Sequence, residues 1–198
     1  MPGTPPLDGD SPALGVELVD RGPLWVVQCG PFVVYAGPMK RLLLTWSDRG
    51  VDGPTPSHQS KRPDTDRGPV LRLLEEPESR QCYHHAVVLT VPQGFRLAHA
   101  LATDMQRQVA QVDVCQVQVD DPSDYASLFR ELGPLAAELG RTYPADLWQI
   151  DVLLSAGTPQ AQTIWVILVQ AGMLRGRLLQ VIPAAFVPVP HPRAIREV

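Results

Sequence analysis

Between residues 39 and 182 the hydrophobic positions alternate between two periods. Arg41 to Trp46, His84 to Val91, Val112 to Val119, Trp148 to Leu154 and Arg177 to Ile182 are short runs rich in Val, Leu and Ile, closed by Gly, Pro, Asp or Ser, and they predict five strands. The run Leu42-Leu43-Leu44 is continuous rather than alternating, as expected of a strand buried on both faces. Helical spacing fills the intervals: Val70 to Glu76, Phe95 to Ala110, the segment carrying Tyr125, Leu128, Phe129 and Leu132, and Thr158 to Ala171. Gly133-Pro134 predicts a break in the third helix, with Leu135 to Leu139 as a second piece. The last helix is apolar nearly all round and predicts a well-buried element. Strands alternating with helices imply right-handed crossovers and a three-layer α/β/α domain around a mainly parallel five-stranded sheet.

The flanks read differently. Prolines number 21, about twice the ordinary share, and they gather in residues 1–38, 54–77 and 183–192, leaving only four in 93–182. Residues 1–15 are expected to be disordered, and Trp25 to Gln28 with Phe32 to Ala36 are short β-prone runs suited to a hairpin. Because Met39 directly precedes the first convincing strand, 1–38 reads equally as an upstream extension from a wrongly chosen start. Residues 50–68 predict a long loop holding Lys61, Arg62 and Arg67, and 183–198 reads as a linker toward an effector.

A formal charge of −4 gives no general attraction to nucleic acid, so direct duplex DNA binding is not expected and any nucleotide contact must be local. The cysteines Cys29, Cys82 and Cys115 lack disulfide or zinc spacing, which suits a reducing, cytoplasmic setting without metal or cofactor. The longest apolar run, Ile164 to Val169, is too short to span a bilayer.

Candidate chemistry concentrates where the fourth strand meets the last helix. Ser155-Ala156-Gly157-Thr158-Pro159-Gln160 has Gly157 for a tight turn and Pro159 for a first helical turn. Such a helix N-terminus offers free N–H groups and the positive end of the helix dipole, and the Ser155, Thr158 and Gln160 side chains add directed hydrogen bonds for a phosphate or ribose. On turn chemistry alone, capping by Ser155 and Thr158 explains the same residues. Thr45, Trp46 and Ser47 close the first core strand at the carboxyl edge, where ligands bind in such sheets; Trp46 suits base stacking or core packing equally. Asp120 and Asp121 suit a ribose hydroxyl or a helix cap, with Asp121 or Ser123 as the capping residue. His84-His85 starts a strand, where neighbours point to opposite faces, and His99 and Asp104 lie on different faces of a helix; neither pair predicts a metal or catalytic site.

The segment Val152-Leu153-Leu154-Ser155-Ala156-Gly157-Thr158-Pro159-Gln160-Ala161-Gln162, followed by Leu168-Val169-Gln170-Ala171-Gly172 and Arg177-Leu178-Leu179-Gln180-Val181, resembles the CRISPR-associated Rossmann fold (CARF) superfamily. With Asp121-Pro122-Ser123-Asp124-Tyr125 upstream, it is most similar to the N-terminal sensor domain of the RtcR RNA-repair transcriptional activators. It departs at Ala156, where proline is usual, and at Ala161, near a usual methionine. The resemblance implies a Rossmann-like domain and a homodimer with a composite pocket for a cyclic oligoadenylate or an RNA end. It further implies a non-catalytic sensor coupled to an effector such as an enhancer-binding ATPase. No Walker-type phosphate loop occurs in this chain. Two alternatives stand beside the sensor: a ring nuclease that cleaves the cyclic oligonucleotide, and an interaction module that only dimerises or docks.

Overall fold

The computed structural model describes residues 39–47, 68–77, 79–80, 82–182 and 195–198 in full, and the backbone of 18–20, 25–29 and 32–36. The expectations for residues 1–17, for Asp48 to Arg67 with Lys61, Arg62 and Arg67, and for 183–194 lie outside these described residues. The chain divides into two units, Met1–Pro38 and Met39–Val198. In the first, β1 (Leu18–Asp20), β2 (Trp25–Cys29) and β3 (Phe32–Ala36) form an antiparallel meander, with Cys29 paired to Phe32.

The second unit is a six-stranded sheet. β4 (Lys40–Trp46), β5 (His85–Thr90), β6 (Gln111–Gln116), β7 (Trp148–Leu153), β8 (Arg177–Val181) and β9 (Ile195–Glu197) stand in the order β6-β5-β4-β7-β8-β9. The first five are parallel, and β9 pairs antiparallel with β8. The sheet therefore has one strand more than the five predicted, and the expected linker ends in an edge strand. Its three residues are too short and too polar to announce a strand; pairing to β8 supplies what the local pattern lacks.

Helices α1 (Gly68–Glu75), α2 (Phe95–Met105), α3 (Tyr125–Thr142) and α4 (Pro159–Gln170) connect the parallel strands; α1 packs with α2 and α3 with α4. The chain runs outward from β4 to β6, then returns to the other side of β4 for β7. Right-handed crossovers on a path that reverses direction place the two helix pairs on opposite faces. The centre of the sheet is closed from both sides, and Leu42, Leu43 and Leu44 are fully buried.

Three expectations of detail change. Helix α3 runs unbroken through Gly133-Pro134. Pro134 and Arg130, whose carbonyl loses its helical donor, both sit on the exposed side, while Leu128, Leu132, Ala136 and Leu139 form one buried stripe across both halves. The cap of α3 is Asp124, not Asp121 or Ser123: its carboxylate accepts from the N–H groups of Ala126 and Ser127, and the Ser127 hydroxyl bond holds its pKa below the usual range. Helix α4 buries Ala161, Ile164, Trp165 and Leu168 but leaves Ile167 45% exposed, so it covers the sheet with one face only.

The sheet also holds a fully buried carboxylate. Asp151 on β7 accepts from Arg41 of β4 at 2.6 and 3.2 Å, from the Tyr83 hydroxyl at 3.0 Å, and from Arg177 of β8 at 2.9 and 3.0 Å. Arg41 also lies over the Tyr83 ring, 4.6 Å from its centroid. Burial first, and then the Asp151 charge, push the Tyr83 hydroxyl far above its ordinary pKa, so it acts only as a neutral donor.

Asp151→Ala takes the shared carboxylate from the partly buried Arg41 and Arg177 guanidinium groups and is expected to cost about 3 kcal/mol in urea denaturation. Pro134→Ala restores a helical N–H donor at an exposed position and is expected to raise stability by about 1–3 kcal/mol in the same assay.

Candidate functional site

The switch in strand order falls between β4 and β7, so a crevice at the carboxyl edge is bounded by Trp46 and Ser47 on one side and Leu154 and Ser155 on the other. The turn from β7 into α4 occupies this place. Gly157 has φ +83°, and a Cβ there would lie 2.7 Å from Cγ of Trp46. Only glycine combines that left-handed backbone with so close an approach to an indole. The turn is thereby seated on Trp46, and Ala156 is buried beneath it.

The turn's side chains divide by what they already hold. Thr158 caps α4: its hydroxyl accepts from the Ala161 N–H at 3.2 Å and donates to the carbonyl of Pro122 at 2.9 Å. Both capacities are used, and the second bond draws the loop after β6 to the α4 N-terminus. Ser155 accepts from the Val181 N–H at 2.7 Å, while its own proton makes only a 3.4 Å contact with the Val181 carbonyl. The Gly157 carbonyl accepts from the Gln162 side chain at 3.2 Å. The N–H groups of Ser155, Ala156, Gly157 and Gln160 and the Gln160 amide find no partner among the described residues. These donors stand at the positive end of a twelve-residue helix, where main-chain N–H groups and the helix dipole both favour negative charge.

The other expected residues fall around this turn. Thr45 and Trp46 are 1% and 6% exposed: the Thr45 hydroxyl donates to the Trp46 carbonyl, and the Trp46 ring is packed into the floor of the crevice, not open for stacking. Its indole N–H is buried and finds no acceptor among the described residues. Ser47 continues β4 by donating its N–H to Leu89. Asp121 folds onto the Ser123 hydroxyl and N–H at 2.6 and 2.8 Å, bonds that lower its pKa. Asp120 is exposed on the same loop, two residues before Pro122.

Away from the crevice, His85 is buried between Asp113 (Nε2 to Oδ2, 2.8 Å) and the Tyr143 hydroxyl (Nδ1, 2.7 Å). His84 is exposed, and its Nδ1 accepts from the Arg41 N–H at 3.2 Å. The two rings thus serve separate local bonds. Among the described residues no His, Cys, Asp and Glu cluster is arranged to hold a metal, and no helix is long and apolar enough to cross a membrane.

At the level of sequence neither a family model nor a characterised protein matches this chain. In three dimensions it is similar to Csm6 from Enterococcus italicus, solved bound to cyclic hexa-2′-fluoro-hexa-dAMP, with a TM-score of 0.58 and 12% identity over 81% of this chain and 42% of that one. A second similar structure is Can2 from Sulfobacillus thermosulfidooxidans in complex with cyclic tetra-adenylate, with a TM-score of 0.46 and 11% identity over 71% and 32% of the two chains. The chain spans less than half the length of either protein. The likeness to Csm6 is one of fold: residues 39–198 form a Rossmann-like α/β domain.

Gly157→Ala adds a methyl group against Trp46 at a positive φ and is expected to destabilise by about 1–3 kcal/mol. The displaced indole should shift its fluorescence in the native state, and an unchanged emission maximum would remove Trp46 as the seat of the turn.

Proposed function

We propose that this domain is a non-catalytic sensor that binds a cyclic oligoadenylate at the α4 N-terminus. The observation that carries the reading is the set of donors on Ser155, Ala156, Gly157 and Gln160, at the topological switch point, that have no partner among the described residues. A cyclic oligonucleotide presents singly charged phosphodiesters, which uncharged N–H donors at a helix terminus match without a basic patch. The net charge of −4 agrees with such local recognition. The fold shared with Csm6, whose structure holds a cyclic hexanucleotide, supports the same ligand class.

The proposal assigns the remaining roles by position. Gln160 and the turn amides contact phosphate, Pro159 sets the first turn of α4, and Trp46, Thr45 and Ser47 support the floor. Thr158 acts through Pro122 as a positioning residue, bringing Asp120 within reach of a ribose hydroxyl, while Asp121 shapes that loop. The turn itself carries no titratable side chain, which favours binding over cleavage and a sensor over a ring nuclease. In this reading the domain works as a homodimer and passes occupancy to an effector, of the RtcR activator type if the ligand is an RNA end.

Calorimetric titration with cyclic tri-, tetra- and hexa-adenylate, and with an RNA oligonucleotide ending in a 2′,3′-cyclic phosphate, tests the reading and selects the ligand. Gln160→Ala removes a hydrogen bond to a charged group and is expected to weaken binding about tenfold or more, with an unchanged melting temperature. Intact ligand after prolonged incubation is expected, and linear products would instead establish the ring nuclease. No heat with any of these ligands from the folded chain would leave the interaction module.

A further inference from the structure

The turn is joined to the last strand through a single hydroxyl. Successive residues of β8 point their main-chain groups to opposite sides. Leu179 accepts from Leu154 on the β7 side, whereas Leu178 accepts from the Val198 N–H on the β9 side. Val181 therefore faces β7 with both its N–H and its carbonyl, beyond the last paired residue of that strand, Leu153. The Ser155 hydroxyl stands in for the missing rung, accepting the Val181 N–H at 2.7 Å and lying 3.4 Å from the Val181 carbonyl. On its other side the same end of β8 holds β9: Val181 pairs with Ile195, Gln180 with Arg196 and Leu179 with Glu197.

Among the described residues β9 is held by little else. Of its three residues only Ile195 is partly buried against the core, and the side-chain bonds are Arg196 to Gln180 at 2.7 Å and Arg177 to Glu197 at 3.6 Å, both at the surface. An edge strand with so small an apolar contribution opens at a low local free energy, so its seating responds to changes at the end of β8.

We infer that Ser155 is a coupling residue: its hydroxyl links occupancy of the α4 turn to the seating of β9. This rests on the sensor reading for its ligand but not for its structural half. The accepting side of Ser155 is committed to Val181 by a short bond, while its proton is loosely placed and can turn to a phosphate oxygen among the free turn amides. An O–H that donates to an anion becomes a better acceptor, so the Val181 N–H bond tightens as the ligand binds. Ligand and β9 stabilise each other, and the coupling is reciprocal.

Hydrogen exchange on the full chain tests both halves. Without ligand, Ser155→Ala removes the acceptor of the Val181 N–H, and exchange at Val181 and across residues 195–198 is expected to rise about fivefold with the rest of the sheet unchanged. With the cyclic oligoadenylate that binds tightest, the wild-type chain should gain protection across 195–198, while Ser155→Ala, which binds more weakly, should show no such gain even at saturating ligand. In the reverse direction Ile195→Asp, which unseats β9 without touching the turn, should weaken ligand binding a few-fold. Unchanged exchange at 195–198 in ligand-free Ser155→Ala overturns the inference whatever the ligand result. If Ser155→Ala does not fold, wild-type affinity in Ile195→Asp overturns it instead. If no cyclic oligoadenylate binds, the sensor reading fails while the ligand-free comparison still decides the link.

Discussion

A carboxylate without water sets the frame of this domain. Asp151 lies on a central parallel strand with no exposure, and it is tolerable there only because Arg41, Arg177 and the Tyr83 hydroxyl converge on its two oxygens. Sliding β4 or β8 by a residue would strip a guanidinium from it. Hydrophobic contacts alone are more permissive, since a run such as Leu42-Leu43-Leu44 offers similar surfaces in neighbouring registers. The pairing of Leu43 and Arg177 with Asp151 carries along the same strands, so that Trp46 comes level with the β7 exit and Val181 comes beside Ser155. The polar cluster at one pole thus aligns the residues of the crevice at the other.

At that crevice the sheet presents main-chain chemistry more than side-chain chemistry. The Thr158 hydroxyl is spent on the cap and on Pro122, Asp121 is folded onto Ser123, and Thr45 is enclosed. Among the described residues, what remains without a partner is a row of amides with one glutamine, held over an indole whose N–H finds no acceptor there. A buried unmatched donor costs about 1–3 kcal/mol.

Much of this was legible in the chain. Each of the five parallel strands was found within about a residue or two at most of its ends, except β6, where Val117 and Val119 extend the apolar pattern past the last paired residue, Gln116. Val117 still donates its N–H to the Thr90 carbonyl of β5 at 2.8 Å and both valines are buried, so a hydrophobicity pattern does not mark where the ladder ends. The helix break at Gly133-Pro134 was misread because proline's cost depends on which side of the helix it faces, a tertiary fact. The turn from Ser155 to Gln160 was visible as turn chemistry, yet the partners of Ser155 and Thr158 lie 26 and 36 residues away, beyond any local pattern. Asp151 did carry a signal: a charge between Ile150 and Val152 in a core strand requires a counter-charge, and arginines stand near the starts of two neighbouring strands.

β9 also determines how the sheet ends. Parallel strands buried on both faces make a sticky edge, because unpaired main-chain groups and apolar side chains run along it together. Here β8 is covered by a strand carrying Arg196 and Glu197, both exposed, and the opposite edge strand, β6, displays Gln111, Asp113 and Gln116 to solvent. Both rims of the sheet are therefore guarded by charge or amide, so growth of the sheet from chain to chain is disfavoured at each. The helical faces differ from the rims, since Phe129 of α3 and Ile167 of α4 stand exposed there.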